Sequence, residues 1–332
     1  MPKNYIKVVS SAFRVMATCA ILGCVSGCCM FRGAPNLDTV RSKYVVIDLV
    51  ALKNGSENPV TELKSVPEEG WTDEYKTTKM VFRRIEPGQF MMCNRVKVKI
   101  TRPYYIGVFE VTQSQYALFM GEEPWEELGG SSWHYNPVRW PTLPVQDMSY
   151  NILRGKNKGA LWPMSAEVDP ESFIGKLRGL LGKEGLDLPT EAQWEFACRA
   201  GTTSLYNNGG NTREDLMQLA KYQDTMRDGK NGASQETAPV GSYLPNEWGL
   251  YDMHGNVFEW CLDWRWPLYA CSDPLGADSG TNRCLRGGSL HYRADECTSS
   301  FRYYAYGTPN NGSGYFGARL VFNPGKRKCL QN

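Results

Sequence analysis

The sequence predicts a loop-rich α+β domain with short mixed strands and a few helices. Three observations carry this expectation. The 332-residue chain holds 33 glycines and 19 prolines, so it turns too often for a helical bundle. Short alternating or apolar runs read as strands, while two Thr-x-x-Gln boxes and an Asp-Pro-Glu start mark separate helices. Aromatic residues make up 12% of the chain, enough to anchor long loops onto a core.

The first thirty residues stand apart. Lys3, Lys7 and Arg14 form a basic start. Val15 to Val25 is an apolar run too short to span a bilayer as a helix, but suited to a signal peptide. It ends in Val25-Ser26-Gly27-Cys28, the form of a bacterial lipoprotein box, and cleavage there would leave Cys28 as the lipidated first residue. Cys24 is the competing site. An ordinary signal peptide or a buried N-terminal helix are the other readings. Residues 1–28 are therefore read as a lipoprotein-type signal peptide, 29–42 as a linker, 43–78 as an N-terminal extension and 80–325 as the main domain. This organisation implies an exported, membrane-anchored lipoprotein of the bacterial cell envelope, with acyl chains holding a folded domain.

The main elements follow in order. Lys43 to Leu49 reads as a short buried strand, and Trp71 as a docking anchor in the polar, acidic stretch 50–78. Met80 to Met92 reads as strand, Pro-Gly turn and strand, and Val96 to Thr101 as a further alternating strand. Thr112 and Gln115 form a capping box for a helix that Gly121 ends. Residues 121–142 read as a loop anchored by Trp125, Trp133 and Trp140. Asp169-Pro170-Glu171 starts a helix whose apolar face runs through Phe173, Ile174, Leu177, Leu180 and Leu181 to Gly182. Thr190 and Gln193 cap another helix, carrying Trp194, Phe196 and Ala197 and ending at Gly201. Residues 202–237 are polar and rich in Gly and Asn, and read as a long surface loop. A tight turn, a loop at 264–282 and a run of strands from Cys284 to Phe322 complete the chain.

Composition narrows the function. A formal net charge of +2 with no basic stripe gives no case for nucleic acid. A mean hydropathy of −0.44 argues against a multi-span membrane protein. Eleven cysteines are present, eight of them beyond Cys28. In an oxidising compartment Cys271 and Cys284, which bracket a loop, are the best single disulfide pair. The three histidines (134, 254, 291) have no paired spacing for zinc or non-haem iron. No nucleophile elbow, phosphate loop or dinucleotide fingerprint appears.

The chain is organised around Trp248 to Ser289, which contains WGLYDMHGNVFEW and, after a variable loop, CLRGGS. His254-Gly255-Asn256 forms its turn, with Asp252 and Glu259 on either side. Carboxylates on each side with carbonyls between them suit a hard cation such as calcium; acids that are solvated or bonded to backbone N–H groups are the other reading. GLYDMHGNVFEW and LRGGS resemble the signature of the formylglycine-generating enzyme (sulfatase-modifying factor) domain. IGVFEVTQSQYALFM, LPVQDMSY, DLPTEAQWEFACRAG, APVGSY and FGARLVF follow in the family's order, so the resemblance covers about 80–322.

The resemblance implies a variant of the C-type-lectin-like fold. It also implies an oxidase that converts a sulfatase cysteine to formylglycine using copper(I) held by two cysteines after the RGGS strand. Two soft thiolates suit copper(I). The first cysteine position, three residues after Ser289, is Tyr292 here. The second, eight residues after it, is Cys297. Phe301-Arg302 then follows one residue later than in the enzymes. With one thiolate missing, copper is not expected, Cys297 is the remaining catalytic candidate, and a buried or disulfide-bonded thiol is its alternative role. Arg286 and Arg302 are expected to pair with carboxylates or loop carbonyls.

Carried over residue by residue, the family's calcium site falls on Asp252 and Glu259 through their side chains, and on Gly255 and Val257 through their carbonyls. A second family calcium site, near Ala220-Lys221-Tyr222, has Lys221 where an oxygen donor belongs and is expected to be lost. The sum is a non-catalytic binding or scaffolding module for a protein or peptide ligand, with a sulfatase among the candidates. An active formylglycine-generating oxidase is the alternative.

Overall fold

The computed structural model describes residues 37, 39–121, 140–227, 236–265, 267–303 and 308–324. The signal-peptide reading, Cys28 with its lipid, Trp125, Trp133 and His134 lie outside the described residues. Alternating apolar strands assemble a six-stranded sheet from β1 (Tyr44–Asp48), β2 (Val60–Leu63), β3 (Lys79–Ile85), β6 (Tyr104–Gly107), β7 (Leu186–Asp187) and β12 (Val321–Phe322), in the order β2-β1-β3-β6-β12-β7. β1 pairs with β2 on one side and β3 on the other, so the stretch that precedes residue 78 supplies an interior strand. Trp71 packs edge-on between Tyr44 and Tyr75, at 5.2 and 5.1 Å between ring centres.

Two further sheets have three strands each among the described residues. One joins β4 (Gly88–Met92), β5 (Val96–Ile100) and β9 (Cys271–Ser272). The other places β8 (Phe258–Trp264) between β10 (Arg283–Arg286) and β11 (Phe316–Gly317). The expected strand, Pro-Gly turn and strand at 80–92 are present as β3 and β4, which enter different sheets. Among the described residues, the expected run of strands from Cys284 consists of β10, β11 and β12.

The helices follow their caps. Before α3 (Gln113–Met120), the Thr112 hydroxyl accepts from Gln115 N–H and the Gln115 side chain accepts from Thr112 N–H, with Gly121 at the C-terminal end. Thr190 and Gln193 do the same for α6 (Glu191–Arg199), and left-handed Ala200 precedes Gly201 at its end. The helix expected from Asp169 begins instead as α5 (Phe173–Leu181), capped by Ser172 and closed by left-handed Gly182. The Asp169 carboxylate is engaged elsewhere, accepting the N–H groups of Asn157 and Lys158 at 2.9 and 2.8 Å. The remaining helices, α1 (Leu49–Lys53), α2 (Glu74–Thr77), α4 (Tyr150–Arg154), α7 (Arg213–Met217) and α8 (Gln223–Arg227), are single turns or little more. No helix among the described residues is long and apolar enough to cross a membrane.

Two expectations need correction. Residues 202–237 are not a surface loop throughout: Tyr206, Leu216, Leu219, Ala220 and Tyr222 form a buried cluster with Ala294 and Cys297. Isolated apolar residues between polar ones carry no readable period, so this burial left no pattern to detect. Cys271 and Cys284 are both free thiols. Cys271 is exposed on β9 beside β5, whereas Cys284 is buried on β10 against the Arg302 guanidinium at 3.7 Å.

Candidate functional site

The turn between Tyr251 and Val257 is built from three left-handed residues. Asp252, Gly255 and Asn256 take φ of 56°, 69° and 55°. Gly255 is required sterically as well, since a Cβ there would lie 2.2 Å from the Lys221 carbonyl oxygen. That carbonyl accepts the Asn256 N–H at 2.7 Å. The Asn256 side chain donates to Glu110 Oε2 at 2.7 Å and accepts the Ala238 N–H at 2.9 Å.

The turn gathers more charge than its own acids supply. Glu259 is fully buried; its carboxylate meets Arg319 Nη2 and Nε at 2.8–3.1 Å and the Trp194 indole N–H at 2.7 Å. Asp252 Oδ2 accepts the Gly241 N–H at 2.6 Å. Burial raises the Asp252 carboxyl to about 6, against the pull of that N–H and of Arg319. Glu110, which sequence reasoning did not single out, is raised well above the ordinary carboxylate range by burial and by the charges of Asp252 and Glu259. Its one signal was an acid embedded in the apolar run Ile106-Gly-Val-Phe-Glu-Val111.

Three buried acids thus face Arg319, with Lys76 contributing from further off. Oxygen-only donors fit a hard cation better than a soft one. No three His, Cys, Asp or Glu side chains converge as a metal cage among the described residues. An ion here would therefore rest on Asp252, on the Gly255 and Val257 carbonyls, and on a Glu259 carboxylate shared with Arg319. Lys221 is buried, and burial lowers its ammonium pKa.

The segment after Ser289, where the resemblance would put copper, packs among aromatic rings. Tyr292 stands edge-on to Phe258 at 4.7 Å, and its hydroxyl donates to Tyr303 at 2.8 Å. Phe258 stacks on Tyr303 at 4.6 Å, and His291 packs against Tyr315 at 4.5 Å. Cys297 is fully buried behind this cluster, with Sγ 3.9 Å from the Ser289 carbonyl and 4.0 Å from that of Tyr292. Burial pushes its thiol far above the ordinary range, which disfavours the thiolate. Gly288, at φ 82°, lets the RGGS backbone lie on Cys297: a Cβ there would meet Sγ at 2.4 Å.

His254 does not supply a ligand either. Its Nδ1 lies 2.7 Å from the Cys297 carbonyl, which can only accept, so Nδ1 carries the proton and Nε2 accepts the Asn207 N–H at 3.1 Å. Burial holds the ring neutral, lowering its pKa to about 4.

The arginines are structural, as expected. Arg286 bridges Glu195 to the carbonyls of Ser299, Ser300 and Phe301, while Arg302 grips Glu191 with two bonds of 2.5 and 2.7 Å. Asp263 accepts the Glu191 N–H at 2.7 Å. Its carboxyl is raised to about 7 by burial first and by the Glu191 charge second. A raised acid binds its proton more tightly when folded, so its destabilising effect is absent at acid pH and complete above pH 7. Asp263→Asn keeps an oxygen for the Glu191 N–H. It is expected to raise the thermal midpoint more at pH 8 than at pH 5, by on the order of 2 kcal/mol in differential stability. An equal effect at both pH values would show that Asp263 ionises freely.

The sequence matches the model of the sulfatase-modifying factor enzyme 1-like domain over residues 69–324. It is similar to the formylglycine-generating enzyme of Streptomyces coelicolor, at 38% identity over 151 residues, covering 41% of this chain and 46% of the relative. It is also similar to that of Thermomonospora curvata, at 35% over 157 residues, covering 42% and 50%. The chain thus spans about half the length of these curated relatives. Its fold resembles Treponema denticola variable protein 1, with a TM-score of 0.57 and 25% identity, covering 74% of this chain and 96% of the other. It also resembles PvdO from Pseudomonas aeruginosa, with a TM-score of 0.54 and 19% identity, covering 73% and 94%. Both neighbours have the α+β, C-type-lectin-like architecture of short strands and irregular segments seen here. With the family model spanning most of the sequence and its signature turn in place, the chain belongs to the sulfatase-modifying factor enzyme 1-like domain family.

Proposed function

We propose that this protein is a non-catalytic binding or scaffolding member of its family, exported and held at the cell envelope by a lipid on Cys28. The observation that carries the reading is the state of the two copper positions. Tyr292 occupies one with its hydroxyl bonded to Tyr303, and the Cys297 thiol at the other is buried and protonated. A lone buried thiol offers copper(I) neither the second sulfur nor a thiolate. The aromatic face around Tyr292, Tyr315 and His291 is only partly buried and suits a protein or peptide ligand, with a sulfatase among the candidates. Calcium, resting on Asp252, Gly255, Val257 and Glu259, would neutralise the acid cluster and fix the turn.

The test is direct. The purified chain, incubated aerobically with copper(I) and a Cys-x-Pro-x-Arg peptide, is expected to leave the peptide mass unchanged. Formation of the aldehyde, lost in Cys297→Ala, would establish the oxidase instead.

A further inference from the structure

A cavity of about 450 Å³ lies away from Tyr292 and Cys297, between β8 and the 267–279 segment. Its volume falls within the usual range for small-molecule sites. Its walls are Trp264, Leu268, Tyr269 and Leu275, and its polar groups include Asp263 and Arg302. Two glycines build it. Gly276, at φ 81°, lies where a Cβ would be 2.8 Å from the Asp263 Cβ, and a Cβ on Gly280 would be 3.0 Å from that of Trp264. The loop can therefore lie directly over the end of β8.

The charges inside are unequally satisfied. Glu191 is fully buried and held by Arg302 through two bonds, so this pair is neutral as a unit. Asp263 is 96% buried by side-chain environment, at 4% relative exposure, and lines the cavity. Its Oδ2 accepts the Glu191 N–H, whereas Oδ1 has no hydrogen-bond partner among the described residues. The other nearby cation, Arg283, lies 3.3 Å over the Trp264 ring and gives its Nη groups to the carbonyls of Ala160, Trp162 and Leu262, while its Nε is buried without a hydrogen-bond partner among the described residues. Asp278, which is exposed, adds a third acid to the lining beside Glu191 and Asp263. Asp263 therefore offers the cavity a carboxylate oxygen that no described protein group holds, and a cation reaching it would favour the charged form that burial disfavours.

We infer that this cavity is a second ligand site, taking a small organic cation whose amine reaches Asp263 Oδ1 and whose apolar body packs among Trp264, Leu268, Tyr269 and Leu275. Arg283 already covers one face of Trp264, so Tyr269 is the wall that favours a cation, since a cation near a ring face is attracted by its quadrupole.

Calorimetric titration of the full chain with three probes of equal size tests this: phenethylamine, the neutral 2-phenylethanol and the anionic phenylacetate. Phenethylamine is expected to bind roughly ten- to a hundredfold more tightly than 2-phenylethanol, with phenylacetate weakest. Asp263→Asn is expected to abolish the preference for the amine while the protein stays folded by its melting curve. Tyr269→Ala, at the exposed mouth, is expected to weaken phenethylamine and 2-phenylethanol together. Preference for phenylacetate, equal binding of all three, no binding at all, or an amine preference that survives Asp263→Asn would overturn the assignment.

Discussion

Arg319→Met is expected to lower the unfolding free energy by about 3–5 kcal/mol, because it leaves buried carboxylates without their cation. Arg319 is fully buried and meets both Glu259 oxygens, while its other N–H groups hold the carbonyls of Gly107, Val108 and Tyr251. Methionine fills part of the volume but satisfies none of these acceptors. Urea unfolding measures the loss, and adding Glu259→Gln should recover part of it, since the two residues act as one unit. A loss below about 1 kcal/mol would show that the acids are already protonated and need no partner. The same titrations test calcium: millimolar calcium should stabilise the wild-type chain, and should restore part of the Arg319→Met loss by taking over Glu259. No effect of calcium on either protein would remove it from this turn.

Tyr292→Cys is expected to create copper(I) binding where none is expected of the wild-type chain. The Tyr292 carbonyl lies 4.0 Å from Cys297 Sγ, so the backbone that would carry the new thiol already lies beside the existing one. Removing the ring also opens the aromatic lid over Phe258 and unties Tyr303, giving solvent and ion a route to Cys297. The substitution should cost about 2 kcal/mol of stability from the lost packing. Competition with a colorimetric copper(I) chelator should show stoichiometric binding by Tyr292→Cys, and none by Tyr292→Cys combined with Cys297→Ala. If the single variant binds no copper, the one-residue offset of Phe301-Arg302, and not Tyr292 alone, separates this chain from the oxidases.

Much of the site was legible because its signals are local. Thr112 with Gln115, and Thr190 with Gln193, specify their helix starts within four residues, and the structure shows both reciprocal boxes. The left-handed turn at Gly255-Asn256 follows from residue type alone. Arg286 and Arg302 were expected beside acids or carbonyls, and they are. Missing from that reading were Glu110, which meets Asn256 from 146 positions away, and Asp263, whose acidity depends on the Glu191 segment 72 positions distant. The start of α5 was misplaced because Asp169 found N–H groups at Asn157 and Lys158 instead of capping a helix.

By itself the sequence determined the family, the turn geometry and the absence of a second cysteine at the copper position, since each depends on residue identity in a short window. Only the tertiary structure decided which acids share Arg319, that Cys297 is sealed behind Tyr292, and that Asp263 opens into a cavity. Burial and charge proximity are set by chain segments far apart in order, and a carboxyl or thiol takes its chemistry from that surrounding, not from its neighbours in sequence.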